Sequence, residues 1–123
     1  MGLKRILCVD DEPAILELYR RFLEHDGYEV RVATNGIECG CQLMEFAPDL
    51  IILDLAMPEL GGMKTIRYLR AGSHKAIRML VVSGFVEGDD RRFLEQNGIP
   101  FLAKPVDFKV LTSVIRDMGA SDP

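Results

Sequence analysis

The chain has no tryptophan, only three cysteines and no long apolar run. Since no run approaches the ~20 apolar residues of a membrane-spanning helix, the sequence predicts no membrane segment. The apolar stretch near the amino terminus is also too short for a secretory signal. Cys8, Cys39 and Cys41 lack the spacing of a disulfide framework or a metal site, so we expect reduced thiols in a cytoplasmic protein.

An excess of positive charge is missing as well. The formal net charge is −4 at pH 7, which argues against direct binding of nucleic acid by this chain. Neither of the phosphate-binding patterns GxxxxGK and GxGxxG occurs. With 123 residues, 48% of them hydrophobic and 28% charged, the chain suits one globular domain. We expect this domain over residues 1–118, followed by a flexible tail or linker stub over residues 119–123.

Four short apolar runs are present, at Ile6–Val9, Leu50–Leu53, Met79–Val82 and Phe101–Ala103. Their continuity predicts strands that are buried on both faces, as in a parallel sheet. Tyr28–Ala33 alternates between apolar and charged residues, which predicts an edge strand.

Segments with helical periodicity follow each predicted strand. The apolar face predicted for the first helix consists of Ile15, Leu18, Tyr19, Phe22 and Leu23. The later helices are predicted at Ile37–Phe46, over a segment indicated by Met63, Ile66, Tyr68 and Leu69, at Asp89–Gln96, and after a cap at Asp107. This alternation predicts an α/β fold: a doubly wound, five-stranded parallel sheet of order 2-1-3-4-5 with five helices, as in flavodoxin-like proteins. Two helices should cover one face and three the other.

Polar side chains follow the predicted strands where each apolar run ends. Asp10 and Asp11 follow the first strand, Asp54 follows the third, Ser83 ends the fourth and Lys104 follows the fifth. Because the carboxyl ends of parallel strands meet at one crevice, we expect these side chains to lie together. Clustered carboxylates need a compensating cation, and Mg²⁺ prefers such oxygen ligands. A carboxylate beside Mg²⁺ and an ammonium can attack phosphorus and form an aspartyl phosphate.

In this order and spacing, four motifs resemble the response-regulator receiver domain of two-component signalling. They are V-D-D-E-P at Val9–Pro13, D-L-A-M-P at Asp54–Pro58, Ser83-Gly84, and F-L-A-K-P at Phe101–Pro105. The resemblance covers nearly the whole chain. It implies a phosphoryl-accepting signalling switch in a two-component or phosphorelay system, rather than a metabolic enzyme.

The resemblance also implies a role for each site residue. Asp54 is the phosphoacceptor, and Lys104 contacts a phosphate oxygen. Asp10, Asp11 and Asp54 hold Mg²⁺ together with the backbone carbonyl of Ala56.

Two further side chains would form the switch. Ser83 would move to bond the phosphate, and Phe101, which stands where many receivers carry tyrosine, would follow. The surface of the fourth helix, fifth strand and fifth helix would then change. The Lys104-Pro105 peptide bond is cis in such domains.

The partner that the resemblance implies is a histidine kinase or a histidine phosphotransfer protein. It would dock on the first helix near Ile15 and Leu16 and on the loop at Pro105 and Val106. The output partner or fused effector domain is not identified by any motif, and a phosphorylation-dependent dimer is left open.

Three alternatives compete with this interpretation. The first is a receiver-fold module for docking or dimerisation that works without phosphorylation. The second is a small-molecule phosphatase or phosphotransferase, although such enzymes commonly show D-x-D at the nucleophile and here Asp54 precedes Leu55-Ala56. The third is an FMN-binding protein, whose flavin phosphate the acidic strand ends would repel.

Overall fold

Strands and helices alternate strictly along the part of the chain that the computed structural model describes, residues 3–56, 62–71, 77–84 and 86–120. The strands are β1 (Arg5–Val9), β2 (Glu29–Ala33), β3 (Leu50–Leu53), β4 (Arg78–Ser83) and β5 (Phe101–Ala103). The helices are α1 (Pro13–His25), α2 (Gly36–Phe46), α3 (Gly62–Ala71), α4 (Gly88–Gln96) and α5 (Phe108–Ala120). Within these residues no helix has the length and apolar character to cross a membrane.

The five strands form one sheet in the order β2-β1-β3-β4-β5, and every neighbouring pair is parallel. This confirms the predicted fold class and strand order, with β2 at one edge. Val9 pairs with Leu53 across β1 and β3, so these two strands end at the same level. Ser83 pairs with Ala103 across β4 and β5, which aligns the other pair of strand ends. Because Leu53 pairs with Val81, β4 and β5 extend past the ends of β1 and β3 at this carboxyl edge of the sheet.

Apolar side chains fill both faces of the sheet and form two separate core layers. The helix residues of one layer come from α1 and α5: Leu16, Tyr19, Leu23, Leu111 and Ile115. Those of the other come from α2, α3 and α4: Cys39, Leu43, Ile66, Leu69 and Leu94. Each such side chain contributes about 1.5–3 kcal/mol by its burial. The predicted distribution of two helices on one face and three on the other is confirmed.

The apolar face predicted for α1 is partly wrong. Tyr19 and Leu23 are buried as expected, but Leu18 and Phe22 are 36% and 43% exposed, while Leu16 is only 4% exposed. Phe22 instead stacks on Phe108 of α5, with ring centroids 4.4 Å apart. This aromatic contact lies at the edge of the core, and the inward face of α1 is centred on residues 16, 19 and 23.

The predicted third helix is confirmed as α3, but the apolar residues that indicated it do not all lie on its buried face. Ile66 and Leu69 are fully buried, but Tyr68 is 69% exposed. Consecutive residues of a helix lie about 100° apart around its axis. Tyr68 therefore points away from the direction that Ile66 and Leu69 share, and it cannot face the sheet with them.

Helix ends fall where local chemistry predicts them. Pro13 opens α1 in the first turn, where a missing N–H costs nothing. Gly27 follows α1 with φ +96°, the left-handed conformation that glycine adopts without strain. Asp107 caps α5: its Oδ1 accepts hydrogen bonds from the backbone N–H groups of Lys109 and Val110, at 2.9 and 3.3 Å.

The carboxyl-terminal helix extends past the predicted end of the domain. α5 includes Gly119 and Ala120, which the sequence placed in the tail. Residues 121–123 lie outside the described residues, so the flexible tail stays a prediction.

The three cysteines are free thiols in different surroundings: Cys8 and Cys39 are buried, and Cys41 is exposed on α2. Burial raises the pKa of Cys39 to about 11, and it raises the pKa of Cys8 further. Because the thiolate is the reactive form, the two buried cysteines should be inert in the folded protein.

We predict that one thiol of the native protein reacts rapidly with an aromatic disulfide reagent at neutral pH, and that three react after denaturation. Cys41→Ser should abolish the rapid phase. More than one rapid thiol in the native protein, or a rapid phase that survives Cys41→Ser, would contradict the packing described here.

Candidate functional site

The acidic and basic residues that follow β1, β3 and β5 are held in place by the sheet itself. The backbone N–H of Asp10 donates to the Ala33 carbonyl, and that of Asp54 donates to the Val9 carbonyl, both at 3.1 Å. The N–H of Lys104 donates to the Ser83 carbonyl at 3.0 Å. Each residue therefore continues the hydrogen-bond ladder one step past its strand. As predicted, the parallel order brings them to one edge.

The Lys104 ammonium lies between two buried carboxylates. Its Nζ is 2.9 Å from Asp10 Oδ2 and 2.8 Å from Asp54 Oδ2, with Glu12 Oε1 farther away at 3.6 Å. Asp10 and Asp54 are 1% and 4% exposed, and the Lys104 side chain is 19% exposed. Charge-assisted hydrogen bonds of this length are among the strongest in proteins.

The other oxygen of each carboxylate accepts a backbone hydrogen bond. Oδ1 of Asp10 accepts from the N–H of Glu12, and Oδ1 of Asp54 accepts from the N–H of Ala56, both at 3.0 Å. Both donors lie two residues after their acceptor, so each loop folds back onto the aspartate that begins it. These contacts fix the orientation of both carboxylates.

Burial and hydrogen bonding set the charge state of the site. Burial raises the pKa of Asp10, although the hydrogen bond from Lys104 opposes that rise. For Lys104, burial favours the neutral amine, but hydrogen bonds to Asp54 and Asp10 outweigh it and raise its pKa. The ammonium therefore stays protonated at neutral pH, and its charge is shared by both carboxylates.

A cluster of oxygen donors lies beside this ammonium. The side chains of Asp10, Asp11 and Glu12 each place a carboxylate oxygen within 4.8 Å of the others, with Asp10 buried and the other two exposed. Such hard oxygen donors fit Mg²⁺, which also keeps several water ligands. The sequence analysis assigned no ligand role to Glu12, although Glu12 belongs to the D-D-E-P motif. The predicted ligand roles of Asp54 and of the Ala56 carbonyl stay predictions.

The two residues predicted to act as the switch lie on neighbouring strands. Ser83 ends β4 and is 2% exposed, while Phe101 begins β5 and is half-buried. The guanidinium Cζ of Arg91 on α4 lies 5.5 Å from the centroid of the Phe101 ring. The Lys104-Pro105 peptide bond is cis, as the resemblance implies. The movements of Ser83 and Phe101 stay predictions.

Ile15, Pro105 and Val106, three of the four residues predicted to dock a kinase, line a cavity of about 530 Å³, here named the docking cavity. It is lined by Ile15 and Leu18 of α1, by Lys104, Pro105 and Val106 of the loop after β5, by Phe108 and by Glu12. Leu16 is not among them, since its side chain is buried in the core, and Leu18 takes its place on this surface. Met57 and Pro58 of the D-L-A-M-P motif lie outside the described residues.

Comparison with known proteins agrees with this geometry. The family model described as "Response regulator receiver domain" matches residues 6–116. The chain belongs to this family. It is 33% identical over 115 residues to RpaA of Synechocystis sp., named a DNA-binding dual master transcriptional regulator, covering 91% of this chain and 47% of RpaA.

Two further matches cover the greater part of both chains. The polar-differentiation response regulator DivK of Brucella anthropi is 29% identical over 105 residues, or 84% of this chain and 85% of DivK. The crystal structure of a CheY-like receiver domain protein from Methanospirillum hungatei superposes with a TM-score of 0.88 at 27% identity, covering 97% of this chain and 95% of that one. The chain thus spans about half the length of RpaA and most of DivK.

We predict that Lys104→Met lowers the free energy of unfolding by about 3 kcal/mol, because it leaves two buried carboxylates without their shared cation. Urea denaturation at neutral pH and low Mg²⁺ measures this change. Lys109→Met is the matched control, since Lys109 is exposed on α5 and should give a change below about 0.5 kcal/mol. Equal losses in the two variants would show that the ammonium does not hold the site together.

A second prediction concerns the ligands of Mg²⁺. Asp11→Asn should weaken Mg²⁺ binding by about tenfold or more, because it removes a carboxylate ligand without unfolding the strand end. Glu12→Gln should also weaken it if the observed cluster binds the ion. Isothermal titration calorimetry measures both, with Asp89→Asn on α4 as the control for loss of one exposed carboxylate. Unchanged affinity in Asp11→Asn would contradict the site.

Proposed function

We propose that this domain is a phosphoryl-accepting switch of a two-component or phosphorelay system, with Asp54 as the acceptor. The observation that carries the proposal is the Lys104 ammonium, which lies between the buried carboxylates of Asp10 and Asp54. A lone buried aspartate is costly, and here the cost is offset by a cation beside the acceptor. Membership of the receiver family and the response regulators among its relatives support the same assignment.

The chemistry proposed for Asp54 is an in-line displacement at phosphorus. A carboxylate oxygen of Asp54 forms a bond to the phosphorus of a phosphohistidine, the P–N bond breaks, and the histidine imidazole leaves with the bonding electron pair. Phosphoryl transfer depends mainly on positioning and on neutralising charge. The hydrogen bond from the Ala56 N–H and the ammonium of Lys104 orient the acceptor.

The acidic residues at the end of β1 supply the metal site of the proposal. Asp10 and Asp11 would hold Mg²⁺, with Glu12 in the same carboxylate cluster and with Asp54 and the Ala56 carbonyl as the predicted further ligands. When bound, the ion neutralises charge on the transferred phosphoryl group.

Signal transmission begins when phosphoryl oxygens compete with the carboxylates for the hydrogen bonds of the Lys104 ammonium. Once Asp54 carries a phosphoryl group, its oxygens offer the ammonium stronger acceptors than the carboxylate alone. Lys104 then turns toward the phosphoryl group, Ser83 donates to another of its oxygens, and Phe101 moves into the space beside β4. The surface of α4, β5 and α5 shifts between two arrangements that the protein already samples.

The proposed donor is a histidine kinase or a histidine phosphotransfer protein that occupies the docking cavity. Glu12 and Lys104 line this cavity together with Ile15, Leu18 and Pro105, so a helix seated there reaches the phosphoryl site directly. The output is carried by a separate partner or by a fused effector domain, and a phosphorylation-dependent dimer is left open.

We predict that acetyl phosphate adds one phosphoryl group to the wild-type protein only when Mg²⁺ is present, and that Asp54→Asn abolishes the addition. Intact-mass measurement after short incubation detects the adduct. Asp89→Asn, which changes an exposed aspartate on α4, should leave the addition intact.

A phosphoryl group that persists in Asp54→Asn would contradict the assignment of the acceptor. If neither acetyl phosphate nor beryllofluoride reacts with or binds to the wild-type protein, and Asp54→Asn binds its partners normally, the domain acts as a docking module that needs no phosphorylation.

A further inference from the structure

The three most exposed large apolar side chains of the described residues lie together. Met44 is 87% exposed, Tyr68 69% and Ile37 66%. All three line a cavity of about 580 Å³ between α2 and α3, here named the α2–α3 groove. It shares no residue with the docking cavity or with the phosphoryl site. Contiguous apolar surface of this kind marks a place where another molecule binds.

The floor of the α2–α3 groove is also apolar and is accessible to a side chain of a binding partner. Leu43 and Leu69 lie beneath it, and Gly40 of α2 lines it without a side chain of its own. Apart from the adjoining residues and the backbone of α2 itself, no atom lies within 4 Å of the place where a Cβ of Gly40 would stand, so the helix surface is accessible there. Among the residues that line the groove, Lys64 alone carries a charge.

Charges of opposite sign border the groove on its two sides. Glu38 and Glu45 lie on the side of α2 away from α3, where Glu38 accepts a hydrogen bond from the Thr34 hydroxyl and Glu45 pairs with Arg31 of β2. On α3, Lys64 lines the groove, and Arg67 lies beyond it with its guanidinium Cζ 4.7 Å from the centroid of the Phe93 ring on α4. The charged residues of α2 are thus acidic, although Arg31 of β2 pairs with Glu45, and those of α3 are basic, with the apolar groove between them.

We propose that the α2–α3 groove binds the same groove of a second copy of this chain, around a two-fold axis that runs along the groove. Both helices follow strands of one parallel sheet, so they run in the same direction. Rotation about this axis lays α2 of one copy on α3 of the other, and the acidic border then faces the basic border. An axis across the groove would instead place acidic residues on acidic residues.

The exposed area sets the strength of this contact. An aromatic side chain buries 150–250 Å², so Ile37, Met44 and Tyr68 together offer on the order of 400 Å² per copy. The total of roughly 800 Å² lies below the ~1,200 Å² of a stable interface. The dimer is therefore weak and depends on concentration. It does not involve Asp54, so it stands apart from the proposed function.

Sedimentation velocity from about 10 to 500 µM tests the dimer. The wild-type protein should shift from monomer toward dimer over this range. Met44→Glu should weaken association at least tenfold, while Val110→Glu, which alters an apolar residue of α5 that is 46% exposed, should not. Asp54→Asn should dimerise like the wild type. Circular dichroism checks that each variant folds.

The orientation is tested by exchanging charges. Lys64→Glu alone should weaken the dimer, and Lys64→Glu combined with Glu45→Lys should restore it. An amine-to-thiol crosslinker should join Lys64 of one copy to the exposed Cys41 of the other, a product that Cys41→Ser should abolish.

Two results would overturn the proposal: a protein that stays monomeric throughout the range, or a dimer that Met44→Glu leaves intact. A dimer that Val110→Glu abolishes would place the interface on α5 instead. Failure of the charge exchange to restore association would reject the two-fold axis along the groove.

Discussion

The site depends on one ammonium that two buried carboxylates share. Lys104 holds Asp10 and Asp54 within 2.9 Å of a single nitrogen. Without it, two nearly inaccessible aspartates would repel each other across the ends of β1 and β3, and one would be forced to take up a proton. The same ammonium lies next to an oxygen of the proposed acceptor, so the group that stabilises the resting site is also the one that a phosphoryl group would recruit.

The sheet makes this interaction possible, because the three residues are far apart in sequence. β1 and β3 are neighbours only because the winding of the chain reverses between them, and this reversal brings Asp10 and Asp54 side by side. In the sheet, β4 lies between β3, which precedes Asp54, and β5, which precedes Lys104. It ends at the buried Ser83. Under the proposed mechanism, we expect a change in the contacts of Lys104 to act first on β5, which Lys104 follows, and on β4, whose Ser83 carbonyl accepts from the Lys104 N–H. This geometry explains how a local change of charge could reach a distant surface.

Much of this arrangement could be predicted from the sequence. Strands buried on both faces of a sheet are continuous apolar runs, and the polar residues that end these runs mark the carboxyl edge of the sheet. Strand order, the meeting of the acids with Lys104, and the helix caps at Gly27 and Asp107 were all predictable. The rotation of α1 was not, because apolar residues occur on more than one of its faces: the structure buries Leu16, leaves Leu18 partly exposed and packs Phe22 against Phe108. Such pairings between distant segments leave no trace in local periodicity.

The most direct test of the account is a crystal structure of the protein with Mg²⁺ and beryllofluoride, which mimics a phosphoryl group on aspartate. The account predicts beryllium on a carboxylate oxygen of Asp54, Mg²⁺ against Asp10 and Asp11, and Lys104 Nζ moved from Asp54 Oδ2 to a fluorine. Beryllofluoride bound at Asp54 with Lys104 still on both carboxylates would contradict the proposed transmission. Beryllofluoride bound at any other residue would contradict the assignment of the acceptor itself.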